Sequence, residues 1–233
     1  MTTKKAIEAI ERFGILLVYP VNNKKEPPSL WSFFHPDRKM LWKWDSTSHQ
    51  GIADLWHLRE ELARSGRVVY AKWYQGRATF FSPLLFAAIF CLMNRPDASP
   101  LSRDATVLLD MLDENSPKST KGLKADAKRE AGIENKALER ALKDLWTRLQ
   151  IVGFGEVDDG AFPSLAVGST RVLFEKLWND AKALSPLRAR QVLADFRMEP
   201  PSAFHRFFSR VAPRFEPSTP KDTRITFEEL TSK

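Results

Sequence analysis

At 233 residues the chain is long enough for one large domain or two small ones with cores of their own. A single cysteine, Cys91, excludes an internal disulfide and a cysteine-rich zinc site. The longest apolar run, Leu84 to Met93, is too short to span a bilayer, and the net charge of +7 favours polyanionic partners without specifying a fold.

The opening stretch sets Ala6, Ile7, Ile10 and Phe13 at helical spacing, with Gly14 as a stop. It lacks an apolar signal core, which points to the cytoplasm. "ILLVYPV" follows as an apolar segment broken by Pro20, and Ser29 caps a short helix in "SLWSFF". "HPDRKMLWKWDSTSHQG" is turn-rich. Ile52, Leu55, Trp56, Leu58 and Leu62 predict a longer helix ending at Gly66, with His57 at the border of its core face. "VVYAKWYQGRATFF" is a hairpin turning at Gln75-Gly76, and Ser82-Pro83 opens a helix to Met93 that holds Cys91 as a buried hydrophobe.

"NRPDASPLSRD" is a boundary rich in turn formers. Beyond it, "DATVLLDMLDE" is an amphipathic helix, and Ser119 or Thr120 caps "KGLKADAKREA", which Gly132 ends. "ENKALERALKDLWTRL" is a strong helix with Leu138, Ala141, Leu145 and Trp146 inward. "IVGFGEV" and "SLAVGS" are strands, "TRVLFEKLWNDAKAL" is a helix, and two short helices flank Pro200-Pro201. The tail from Pro213 is loosely ordered.

The order helix, strand, glycine turn, strand, helix occurs twice, at Ile52 to Met93 and at Glu134 to Trp178. Shorter helices precede each copy. That is the winged-helix pattern, in which the third helix enters a DNA groove and the hairpin is the wing. The expected class is α+β and mainly helical, built from tandem winged-helix units. Residues 1–95 form the first unit, 96–182 the second, 183–212 C-terminal helices and 213–233 the tail.

In the first wing, a two-residue turn pairs Tyr74 with Arg77 and Lys72 with Thr79. Alternation then gives Tyr70, Lys72, Tyr74, Arg77 and Thr79 an outward cationic face. In the second unit, Asn135, Lys136, Arg140 and Lys143 lie on the outer side of the long helix and suit base and phosphate contact. Lys121, Lys124 and Lys128 on the preceding helix suit phosphates. A plain charged surface is the competing reading, with Glu139→Lys143 and Arg140→Asp144 as pairs four residues apart. The four histidines are scattered, and no phosphate-binding glycine loop, nucleophile elbow or metal-ligand spacing occurs. No cofactor or metal is expected.

The strings "SLWSFF", "LWHLREELARSGRVVYAKWYQGRATFFSP" and "LERALKDLWTRLQIVGFG" together resemble the AlkZ-like (YcaQ-like) winged-helix proteins of bacteria, in particular the shorter AlkZ-related branch. The likeness covers Ala6 to Trp178. Full-length members are DNA glycosylases that unhook crosslinked or alkylated bases, with tandem winged helices followed by a β-barrel-like domain. Their catalytic motif is Gln-x-Gln or Gln-x-Asp. Where "GILLVYPVNN" matches it, Leu17, Val18 and Tyr19 stand and supply no amide or carboxylate to orient water. The chain after Lys182 looks too short and helical for the barrel. The resemblance therefore implies a non-catalytic protein that binds double-stranded DNA. Two alternatives remain: a glycosylase with a rewired site near Tyr19, Glu26 and His57, and a protein-interaction scaffold using aromatics near Trp42 and Trp44.

Overall fold

Serine residues open one helix after another. Ser29, Ser82, Ser102 and Ser119 each accept a hydrogen bond from a backbone N–H three residues on, satisfying a donor the helix itself leaves orphaned. The computed structural model describes residues 1–41, 46–160 and 163–212. Its elements in order are α1 (Thr3–Phe13), β1 (Ile15–Leu17), α2 (Leu30–Phe34), α3 (Ser46–Arg64), β2 (Val69–Ala71), β3 (Thr79–Phe81) and α4 (Pro83–Met93). Then come α5 (Arg103–Glu114), β4 (Lys118–Ser119), α6 (Thr120–Ala131), α7 (Asn135–Thr147), β5 (Ile151–Val157) and β6 (Ser164–Ser169). Four helices close the described chain: α8 (Thr170–Leu173), α9 (Glu175–Ala183), α10 (Pro186–Asp195) and α11 (Ala203–Val211). The class is α+β and mainly helical, as expected.

Helix, hairpin, helix does occur twice, as α3-β2-β3-α4 and α7-β5-β6-α8. The two hairpins do not stand apart. They join through β2 and β5 in one sheet of order β1-β3-β2-β5-β6-β4, with every strand pair antiparallel. The join is the pairing of Tyr70 with Gly153.

Both faces of the β1-β3-β2 region are buried. Leu16, Tyr70 and Phe80 point into a core shared with α1, α2 and α3. Ile15, Val69, Ala71 and Phe81 point the other way, into a larger core that takes in α4, α5, α7, α10 and α11. A sheet buried on both sides takes apolar residues at successive positions rather than alternating ones, and "ILL" and "VYA" are of that kind.

This corrects the expected outward face of the first hairpin. The observed pairs are Val69 with Phe81, Tyr70 with Phe80 and Ala71 with Thr79, one residue off the expected register. The turn is a 3₁₀ turn over Tyr74–Gly76 with Gln75 at φ 54°, so three residues, not two, lie in it. Tyr70, Tyr74 and Thr79 are buried, and Lys72 is half-buried. A slip of one residue exchanges the faces of a strand. Here it matters less than usual, because α11 covers one face of the turn. Trp73 meets Phe207 at 4.8 Å, and Tyr74 lies 5.3 Å from Phe204.

Other departures are local. α3 begins at Ser46, earlier than the periodicity suggested, and His57 on it is exposed. α7 ends at Thr147, and the helix expected from Thr170 breaks at Phe174 into α8 and α9. Cys91 is half-buried, its thiol donating to the Leu184 carbonyl at 3.1 Å. Trp42, Trp44 and the tail from Pro213 lie outside the described residues. Among the described residues, no helix is long and apolar enough to cross a membrane.

Candidate nucleic-acid interface

α7 presents two faces. Leu138, Ala141, Leu145 and Trp146 go into the core. Asn135, Lys136, Arg140 and Lys143 are all exposed. Lys136, Arg140 and Lys143 are spaced by four and three residues, which sets them in one stripe along the helix. The alternative pairings within α7 are absent among the described residues. Asp144 instead pairs with Arg148 at 2.9 Å, and the Arg140 Nε donates to the Lys136 carbonyl at 3.3 Å. Lys136 and Lys143 make no ion pair among the described residues.

The preceding helix is less open. Lys121 Nζ donates to the Asp159 carbonyl at 2.8 Å, which pins the β5–β6 connection to the start of α6. Hydrogen bonds from Ser119 and Ser164 hold the Asp159 carboxyl below the usual carboxylate range. Lys128 lies 3.8 Å from Glu134 across the α6–α7 connection. Asp126 takes hydrogen bonds from Lys118 and Arg129, both at 2.6 Å. Lys124 is exposed and without an ion pair among the described residues. Arg77 is exposed at the end of the 3₁₀ turn.

Two predicted cations from separate units meet. Lys72 from the first hairpin and Lys143 from α7 line one groove of about 590 Å³. Arg210 of α11 is the third cation on it, and Glu139 the lone carboxylate among its lining residues. The groove also takes in Trp73, Leu142, Trp146 and Phe207. The Trp73 Nε1 donates to the Thr147 carbonyl at 3.1 Å and so ties the hairpin turn to the end of α7. Arg210 lies 5.7 Å from the ring of Phe207. Sequence reasoning missed Arg210. Its signal was present: "FHRFFSRV" is strongly amphipathic, with Arg206 and Arg210 one turn apart on the polar side.

Lys72 is the one strained cation of this set. Burial, and then the neighbouring Arg59, lower its ammonium pKa below the ordinary lysine value. The sign follows. The folded chain holds this proton less tightly than the unfolded chain, so stability rises with pH from the folded pKa up to about 10.4. At neutral pH the whole cost of the charge is present. Lys72→Met is therefore expected to raise the melting temperature by a few degrees at pH 7, in a thermal unfolding scan. A lower melting temperature would show that Lys72 has a compensating partner.

The place corresponding to the glycosylase motif is inside the fold. Leu17 and Val18 are fully buried. Tyr19 is half-buried, and burial raises its hydroxyl pKa. Glu26 and His57 are both exposed. Among the described residues, no group of three His, Cys, Asp or Glu side chains could hold a metal ion.

A family model described as "AlkZ related" matches residues 1–211. Comparison with curated proteins and with solved structures gives no match.

Proposed function

We propose a function for this chain from the fact that it belongs to the AlkZ-related family: it is a cytoplasmic protein that binds duplex DNA through tandem winged-helix units and excises no base. The observation that carries the reading is the stripe of Lys136, Arg140 and Lys143, exposed and free of carboxylate partners on the long helix of the second unit. In such a unit that helix enters the major groove, with residues at its start meeting base edges and later ones meeting phosphates. Asn135 and Lys136 would take the first role and Arg140 and Lys143 the second. Lys124, Lys128 and Arg77 would add phosphate contacts at the flanks, and Lys121 would do so while fastening the second wing.

The absence of an amide or acid at Leu17, Val18 and Tyr19 supports a non-catalytic role. Burial of the first two leaves no polar group there to position a water. The scaffold alternative draws on aromatics outside the described residues and gains nothing from α7.

Fluorescence anisotropy with a labelled duplex at two salt concentrations tests the reading. K136E/R140E is expected to weaken binding by about tenfold or more and to lower the salt slope by about 2, one per lost phosphate contact. Both residues are exposed, so the variant should fold. Equal binding by both proteins would remove the assignment to α7. Alkylated duplex in the same incubations is expected to yield no abasic sites above buffer, and release that depends on the protein would restore the glycosylase.

A further inference from the structure

The groove beside α7 contains more than a duplex backbone can use. Phosphates of a paired strand call for cations, and gain nothing from Trp73, Trp146 and Phe207 behind those cations. A ligand that matches both parts has a flat apolar portion and an anionic one. The volume of about 590 Å³ falls among sites that enclose a small molecule, roughly 300–1,000 Å³. A partner helix would need a longer trough.

We propose that this groove binds one unpaired nucleotide, its base against the apolar floor and its phosphate among Lys72, Lys143 and Arg210. Three cations that approach from a hairpin, a long helix and a C-terminal helix make a site that no single element could supply. Lys72 supports the assignment. It is half-buried and has no carboxylate partner among the described residues, and its lowered ammonium pKa marks a charge awaiting compensation. A phosphate provides that counter-charge. Glu139 on the same rim disfavours a polyphosphate chain, so a single phosphate fits best.

The nucleotide has two possible sources with the same chemistry: a free mononucleotide, or a nucleotide unpaired within bound DNA. For the second source the inference rests on the duplex-binding reading above; for the first it does not.

The full chain is titrated with dTMP by tryptophan fluorescence. It is also titrated, by anisotropy, with a fully paired duplex and with the same duplex carrying one bulged nucleotide. For the DNA source, the bulged duplex is expected to bind roughly tenfold tighter than the paired one, the scale of one base against aromatic rings. That ratio should fall to about one in K143A/R210A, whose substituted residues are exposed, and in Lys72→Met. It should survive in K136E/R140E even as both affinities drop. Saturable dTMP binding that the rim variants lose, with no bulge preference, assigns the groove to free nucleotide. Paired and bulged duplexes bound equally, with no dTMP binding, would overturn the inference and leave the duplex reading intact. Binding of dTMP without any DNA would do the reverse.

Discussion

Gly153→Val is expected to lower stability by about 3 kcal/mol, the upper end for overpacking a well-filled interior. For a chain of this size that is a fall of roughly 6–12 °C in melting temperature. A Cβ at Gly153 would lie 2.2 Å from Tyr70 Cδ1 and 2.6 Å from Tyr70 Cε1. The tyrosine cannot give way. It is 1% exposed, its ring meets Phe80 at 5.3 Å, and Arg59 lies on its other side. Gly153 pairs with Tyr70 where the two hairpins join, so the strain falls on the seam of the sheet. Valine adds two further methyl groups to the same contact. Thermal and denaturant unfolding measure the effect, and an unchanged midpoint would show that β2 and β5 do not meet as described. A Tyr70→Ala background locates the cause. There the cost of Gly153→Val should shrink by at least ~1 kcal/mol, the coupling expected of residues in contact.

That seam is also where sequence reasoning ended. Helix starts were legible because capping is local: Ser29, Ser82 and Ser119 signal a helix by what they do within three residues. Glycine stops were legible for the same reason, with Gly14 at φ 74° and Gly132 at φ 64° closing α1 and α6. "IVGFGEV" and "SLAVGS" fall on β5 and β6. What lies on either side of a strand is not a local property. "VVYAKWYQGRATFF" alternates well enough to suggest a half-solvated ribbon. Its neighbours in space are α3 on one face and α4 and α11 on the other, from 120 residues or more along the chain at the farthest. The rings at the turn, which suggested contact with a ligand, are where α11 docks.

The candidate site divides along the same line. The α7 stripe follows from helical spacing, since a helix with one clearly apolar face has its other face defined. Lys72 was picked for the wrong reason, as an outward wing residue. Its interest lies in being half-buried, which depends on α7 and α11 closing around the turn. Arg210 carries a visible amphipathic pattern, but nothing in the residues says that α11 packs on the first hairpin. The join between an element and its distant cover has to be seen.

Glu156→Ala is expected to cost about 3–5 kcal/mol, the loss seen when one member of a buried ion pair is removed. Arg59 and Glu156 form that pair, with side chains 11% and 8% exposed. Three α3 residues converge on Glu156. The Trp56 Nε1 donates to its Oε2 at 3.2 Å, Arg59 takes the other oxygen, and the Arg64 guanidinium donates to its backbone carbonyl at 2.6 Å. The Arg59 guanidinium also lies 4.0 Å from the centre of the Trp56 ring. These contacts fasten α3, from the first hairpin's unit, to the irregular stretch of β5 between Gly153 and Glu156. Alanine at 156 leaves Arg59 buried without its counter-charge, and its desolvation is then uncompensated. If that is the origin of the loss, removing both charges should restore most of it. R59M/E156L keeps the volume and is expected to unfold within ~1 kcal/mol of the native chain, or above it. Denaturant midpoints of the two single variants and the double variant decide the matter. A double variant as unstable as Glu156→Ala would mean that α3 holds β5 by the shape of the contact and not by its charges.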